Sequence, residues 1–242
     1  MSSLDVNIMN VTSRGHSHVT VMAGSYVQYG CGFSAADGWM NFDNSPTLRI
    51  ERIPILGDIV SRLSANKQRF PRSVRYGDIC KGLPVRDGTL TGAYASHVLE
   101  HLSLEEFRIA LAKTCRMLTP GGTFRLVVPD LEARARMYLR ELERKSPEAS
   151  HRLMRTAHLG VESRPKTLLQ RARWMFGGSA HLWMWDEYSI GAELDRAGFV
   201  NIRRCELGDS SDPMFARVED ASRFHDAEHD IRECAIEACK PV

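Results

Sequence analysis

The spacing of apolar residues changes often along this chain, and each change marks an element. Residues 25–30 (SYVQYG) are apolar-rich and stop at a glycine, which reads as a buried strand. WMNFD at 39–43 reads as a second strand. PRSVRYGDI at 71–79 holds a third, ending near Asp78, and GAYASHV at 92–98 a fourth. GGTFRLVVPD at 121–130 gives a fifth, closed by Pro129. Between the fourth and fifth the period lengthens. Leu104, Phe107, Leu111, Cys115 and Leu118 recur at helical spacing, behind a capping box of Ser103 and Glu106. Thr119-Pro120-Gly121-Gly122 stops that helix, because proline cannot continue it. Strand, helix and strand make one βαβ unit, and such units build parallel sheets.

Further on, Asp130 caps a helix over 131–145, and WDEYSIGAELDRAGF at 185–199 gives another, with Gly198 just past its end. VNIRRCEL (200–207) and ECAIEAC (233–239) read as closing strands, which form an edge hairpin if they pair antiparallel. The stretch between them, 209–230, reads as polar and irregular. Segment 134–173 stands apart, with 11 Lys/Arg against 4 Asp/Glu, and with Pro147 and Pro165. It is too long for a simple connection and reads as a lid. Its charge fits either a solvated helical pair or a surface facing an anionic substrate. Only residues 33–38 separate Gly32 from Trp39. A parallel crossover takes about ten residues or more, so the first helix is expected to be reduced to a turn or omitted.

Composition adds boundaries rather than identity. The 242 residues are 43% hydrophobic and 26% charged, as in an ordinary globular protein. A net charge of +2 gives no argument for nucleic acid or for a membrane surface. No apolar run approaches the roughly 20 residues that span a bilayer. The N-terminus lacks an apolar signal core, so the expected location is the cytoplasm. The six cysteines form no C-x-x-C pair, and Cys234 and Cys239, five apart, are poorly placed to share a ligand. Reduced, scattered thiols and no metal are expected.

In an open parallel sheet, ligands bind beyond the carboxyl ends of the strands. The residues there are Gly30, Cys31 and Gly32 after the first strand, Asp43 after the second, Asp78 and Ile79 after the third, and Ser96 and His97 after the fourth. Two carboxylates on neighbouring strand ends suit an adenosine ligand: one for the ribose hydroxyls, one for the adenine amino group. Glycines let the backbone approach such a ligand closely. In SHVLEHL, His97 and His101 are four apart with Glu100 beside the second. The zinc motif at that spacing has Glu directly after the first His, and here Val98 stands there. The imidazoles therefore cap backbone groups or work beside a reacting centre. In FGGSAHLWMWDEYS (176–189), His181, Trp183 and Trp185 alternate with Leu182 and Met184, as a packed strand or as the wall of a pocket.

Taken in order, GCG (30–32), GWMNFDNSP (38–46), RYGDICKGLPVRDGTLTGAYASHVLEHL (75–102), RMLTPGGTFRLVVPDLE (116–132), HLWMWDEYSIGAELDRAGF (181–199), LGDSSDP (207–213) and IEACKP (236–241) resemble the class I S-adenosylmethionine-dependent methyltransferases. More narrowly they resemble the small methyltransferases found alongside sugar-polymer and natural-product genes. The resemblance implies an α/β fold: a doubly wound, seven-stranded, mostly parallel Rossmann-like sheet whose last strand is antiparallel. The expected organisation is an N-terminal segment at 1–24, a core over 25–133 and 181–242, and a basic helical lid at 134–180. It also implies S-adenosylmethionine as cofactor. Gly30 and Gly32, with Cys31 between them, would lie under methionine and ribose. Asp43 would hold the ribose hydroxyls, Asp78 and the Ile79 amide would read adenine, and Ser96 and His97 would flank the methionine. Gln28 stands where the superfamily usually has an acid, and Ser34 where a third glycine is common. Gln28 can still accept from the ligand's ammonium group but supplies no charge, so weaker cofactor affinity is expected.

The expected chemistry is methyl transfer to an oxygen or nitrogen of a small-molecule or sugar-type acceptor, with His101, His97 or His181 as candidate general base. The basic lid hints at an anionic or sugar-linked acceptor and a biosynthetic role; oligomeric state stays open. Two rivals remain. One is a methyltransferase fold that binds without catalysing. The other is a nicotinamide-dependent oxidoreductase, since Gly30, Gly32 and Ala35 fit G-x-G-x-x-A. That fingerprint should open a helix and carry an acid about 20 residues on, whereas Asp43 follows Gly32 by 11.

Overall fold

A computed structural model describes residues 25–53, 69–164 and 180–242. The N-terminal segment 1–24, residues 54–68 and the 165–179 portion of the basic insertion lie outside the described residues. Strands β1 (Ser25–Tyr29), β2 (Trp39–Asp43), β3 (Arg75–Tyr76), β4 (Leu90–Ser96), β5 (Leu118–Val128), β6 (Val200–Arg204) and β9 (Cys234–Cys239) form one sheet. Its order is β3-β2-β1-β4-β5-β9-β6, and β7 (His225–Asp226) pairs with β8 (Ile231–Arg232) separately. Pairing is parallel from β3 through to β5, and β9 runs antiparallel to both β5 and β6. The sheet is thus the doubly wound, mostly parallel one that the sequence implies. The two closing strands do pair antiparallel, but β9 is inserted beside β5 and only β6 is an edge.

Both faces of the sheet are covered, which is why its strands read as near-continuous apolar runs. On one face Val27, Tyr29, Phe42, Ala93, Phe124, Leu126 and Ile236 are buried in one cluster with Phe107, Ala110 and Leu111. The last three belong to α2 (Leu104–Met117), which begins at the expected Ser103–Glu106 capping box. Tyr29 reaches α2 through its hydroxyl, 3.1 Å from Thr114 Oγ1. Trp185 stacks on Phe107 at 3.9 Å between ring centroids, so this tryptophan is core. On the other face Trp39, Tyr94, Val127, Cys205 and Ala235 pack against Phe215 and Val218. Phe215 belongs to the 209–230 stretch read as polar and irregular, which here forms a short 3-10 turn over Phe215–Arg217 and α6 (Ala221–Phe224).

The remaining helices, the one over 149–156 excepted, begin at side-chain caps. These are α1 (Pro46–Glu51), α3 (Leu131–Glu143) capped by Asp130, α4 (Ala149–Thr156), and α5 (Glu187–Arg196) capped by Asp186. Two boundaries differ from expectation. The third strand shrinks to two residues, because Asp78 turns back to accept from the Cys80 amide. The fifth strand starts at Leu118, with Pro120 inside it rather than in a loop. Between β1 and β2 there is no helix: the Ser34 amide donates to the Cys31 carbonyl and the Trp39 amide to the Ala36 carbonyl, closing two turns. Among the described residues no helix is long and apolar enough to cross a membrane.

Candidate functional site

The strand order reverses between β1 and β4, which are paired neighbours with their successors on opposite sides. In such sheets the ligand crevice opens at that point, outside the carboxyl ends. The chain there is shaped by backbone that only glycine adopts easily. Gly30 has φ +64° and Gly32 φ +55°. The two differ in surroundings. A Cβ on Gly30 would lie 2.1 Å from Val98 Cγ2, so that glycine serves the packing of the β1 end against the β4 end. A Cβ on Gly32 would meet nothing within 4 Å, so its face is open to a ligand.

Asp43, buried at the end of β2, organises this loop. Its Oδ2 accepts from the Gly32 amide at 2.8 Å and its Oδ1 from the Ser45 amide at 2.7 Å. Each carboxylate oxygen keeps a further lone pair for a ligand hydroxyl. Asp78 accepts from the Cys80 amide at 2.9 Å and pairs with Lys81 at 2.9 Å. Burial opposes its ionisation, but these two partners outweigh it and hold the carboxyl below its ordinary range. Ile79 beside it is buried. At the switch point two buried side-chain atoms lack a hydrogen-bond partner among the described residues: Gln28 Oε1 on β1 and Ser96 Oγ on β4. Orphaned polar atoms in a folded interior mark places where a ligand or ion belongs. Cys31 is buried beside the loop and its thiol is pushed up to about 12 by burial, so it packs rather than reacts.

After β4 the chain turns sharply. His97 takes a left-handed φ of 52°, uncommon for a non-glycine residue. Its amide donates to the Val127 carbonyl, and its Nε2 lies 2.9 Å from the Arg223 carbonyl. His101 ends a 3-10 turn over Leu99–His101, with Nδ1 at 3.1 Å from the Ala180 carbonyl. Both rings therefore cap backbone groups, as one reading of the sequence anticipates. The turn is also fastened to the segment after the basic insertion: Leu182 and Trp183 donate their amides to the Glu100 carbonyl. His181 is thereby brought to His101, with ring centroids 5.1 Å apart, and its ring lies 4.8 Å from that of His158. Burial, then the neighbouring imidazoles, push His181 down to about 3. Glu100, on the same turn, is pushed up to about 8 by burial.

The residues named from sequence thus gather at one end of the sheet. What sequence reasoning missed is the company of Glu100: it and His101 lie about 80 positions from His181, and no periodicity links them. Several cations of the basic insertion are paired with acids. Arg134 is buried against Glu233, Arg136 pairs with Glu132, Arg152 with Glu141, and Arg155 with Glu162.

No curated protein matches the chain. Among solved structures it is similar to a SAM-dependent methyltransferase from Archaeoglobus fulgidus, at 14% identity and a TM-score of 0.47, over 90% of this chain and 86% of that one. It is similar to a chain of the complex between the Haloferax volcanii Trm112 methyltransferase activator and a methyltransferase, at 14% identity, TM-score 0.43, covering 91% and 83%. A third likeness, at 11% identity and TM-score 0.42, is to Haemonchus contortus phosphoethanolamine N-methyltransferase 2 in complex with S-adenosyl-L-methionine, covering 91% of this chain and 49% of that one. At these values the likenesses carry no argument about acceptor or partner. The family comparison is more direct, because residues 27–126 match the methyltransferase domain, a stretch that runs from β1 into β5 and holds every strand-end residue described above. Over that stretch, somewhat under half of the chain, the sequence is similar to a methyltransferase domain.

Proposed function

We propose that the protein methylates an oxygen or nitrogen atom of a small-molecule acceptor, sugar-type or anionic, with S-adenosylmethionine held across the ends of β1, β2 and β4. The observation that carries the reading is the pair of orphaned buried atoms, Gln28 Oε1 on β1 and Ser96 Oγ on β4, on the two paired strands of the switch point, with the open face of Gly32 in the loop after β1. A ligand with donors on its amino-acid end satisfies both, and the nearby Asp43 carboxylate accepts from ribose hydroxyls. Asp78 and the Ile79 amide are the adenine-reading pair. The cofactor supplies an activated methyl group and its own leaving group. The protein's part is to align the acceptor atom, exclude water and receive a proton. Trp183, partly exposed and stacked near Trp185, suits the wall that shields the acceptor.

The proton goes to His101 in this reading. His97 is committed to the Arg223 carbonyl, and His181, held down to about 3, is a poor acceptor near neutral pH. A nicotinamide ligand is disfavoured, because its pyrophosphate needs a helix N-terminus and the β1–β2 connection has only turns. The test is incorporation of isotope-labelled methyl from the cofactor into a panel of hydroxyl and amine acceptors, including phosphorylated sugars. We expect transfer by the wild type, a fall of about 100-fold or more in kcat for His101→Gln, and a smaller effect for His97→Gln. Full rate in His101→Gln would leave alignment alone as the catalytic device. Cofactor binding without transfer to any acceptor would favour a binding role for the fold.

A further inference from the structure

The turn after β4 holds a cluster that shares His101 with the proposed transfer reaction and adds Glu100 and His181, which that reaction does not use. Glu100 is 1% exposed, and neither of its carboxylate oxygens has a hydrogen-bond partner among the described residues. A buried carboxyl left in that state is costly unless it is paired or coordinates a cation. Two imidazole nitrogens stand close to it: His97 Nδ1 at 3.6 Å and His101 Nε2 at 3.8 Å from Oε1. Glu100, His101 and His181 each offer one ligand-capable atom, and these atoms lie within 4.8 Å of one another.

The hydrogen bonds behind the rings point the same way. His101 Nδ1 faces the Ala180 carbonyl, which can only accept, so Nδ1 carries the proton and Nε2 presents its lone pair on the Glu100 side. His181 Nδ1 lies 3.3 Å from the Met184 thioether sulfur, a weak acceptor, and the ring also interacts with the Ala157 backbone, which an incoming ion would have to displace if that contact is made through Nε2. Imidazoles that ligate metals are oriented in this manner, with the far ring nitrogen donating to a carbonyl or similar group.

We propose that Glu100, His101 and His181 bind one divalent transition-metal ion of the zinc class, leaving a fourth position open at the strand-end crevice. Two imidazoles and one carboxylate are a donor set that zinc takes in open, three-ligand sites, whereas magnesium and calcium prefer all-oxygen sites. Tetrahedral donors at zinc stand about 3.3 Å apart, so the side chains need to close by on the order of 1 Å. The sequence reading weighed His97 and His101 as the pair and expected no metal, whereas the cluster argued from here pairs His101 with His181 from the far side of the basic insertion. Binding of the ion stands independently of methyl transfer. An ion and a proton compete for the His101 lone pair, so the base role given above belongs to the metal-free protein. In the loaded protein the open position would take an acceptor hydroxyl and acidify it, as bound zinc acidifies water.

The test uses the tag-free full-length chain, stripped with chelator and titrated with Zn²⁺ by competition against a chromogenic chelator, and separately with Co²⁺ by visible absorption. We expect one equivalent of Zn²⁺, and a Co²⁺ d–d spectrum of low coordination number without a thiolate charge-transfer band. His101→Gln, His181→Gln and Glu100→Gln should each weaken binding by more than the roughly 10- to 100-fold that loss of an outer partner costs. His229→Gln, whose ring pairs with Asp226 on the β7–β8 turn, should leave binding unchanged. Absence of a stoichiometric site in the folded wild type would overturn the proposal. So would binding that survives in both His101→Gln and His181→Gln, or a spectrum dominated by thiolate.

Discussion

Gly30 and Gly32 share a left-handed backbone but not the same neighbours, and that difference separates stability from binding at single residues. Alanine at either position meets the left-handed penalty, about 1–2 kcal/mol. At Gly30 it also drives a methyl into the stiff, β-branched Val98, for which overpacking costs a further 1–3 kcal/mol or so. Gly30→Ala should therefore lower the midpoint of urea unfolding clearly more than Gly32→Ala. Gly32→Ala should instead act on the ligand, since its Cβ would enter the open face beside Asp43. Equal unfolding midpoints for the two variants would mean that the Val98 contact is absent in solution.

At the scale of elements, two ion pairs clasp helices to their neighbours, and they differ in depth. Arg108 on α2 holds Glu193 on α5 in a bidentate pair at 2.8 Å, with Arg196 adding a third contact. Arg108 first, and Arg196 after it, pull the Glu193 carboxyl down to about 2. A carboxyl depressed on folding gives stability that is present above its unfolded pKa of about 4.3 and is lost as pH falls toward the folded value. The melting temperature of the wild type should therefore drop between pH 4.5 and 2 more steeply than that of Arg108→Gln. Parallel curves would show that the clasp contributes nothing. The deeper pair is Arg134 on α3 with Glu233, both buried, joined at 2.7 and 2.8 Å. Glu233 also accepts from the Asp130 amide at the helix cap. Glu233→Gln leaves a buried guanidinium uncompensated and should cost about 3–5 kcal/mol in chemical unfolding, more than the double change Arg134→Met with Glu233→Leu. A single variant as stable as the double would contradict this.

These elements also show what could be read in advance. The Ser103–Glu106 box and the Leu104, Phe107, Leu111 stripe placed α2 because capping and helical periodicity are local signals. The cover over the second face was not legible. Phe215 and Val218 stand alone in a polar stretch, and their burial depends on Trp39 and Tyr94, far away in sequence. The same limit applies to Arg125, which is read as a strand residue but is fully buried between Asp209, Glu219 and Glu237.

For the whole molecule, the seven-stranded, mostly parallel sheet with an antiparallel last strand was implied by the resemblance and is present. So is the shortened connection between β1 and β2, which residue counting alone foretold. The candidate site was legible where it lies at strand ends, since Gly32, Asp43, Asp78 and Ser96 each follow a strand that periodicity marks. It was not legible where folding joins His181 to His101 across the basic insertion. The central claim is that the crevice between β1, β2 and β4 binds S-adenosylmethionine. Isothermal calorimetry with S-adenosylmethionine, with NADH as the control ligand, tests it on the wild type and on Asp43→Ala. The account predicts one equivalent of S-adenosylmethionine bound by the wild type, no binding of NADH, and an affinity about 10-fold or more weaker in Asp43→Ala, the loss of hydrogen bonds to a charged group. No binding of S-adenosylmethionine, or unchanged affinity in Asp43→Ala, would contradict it.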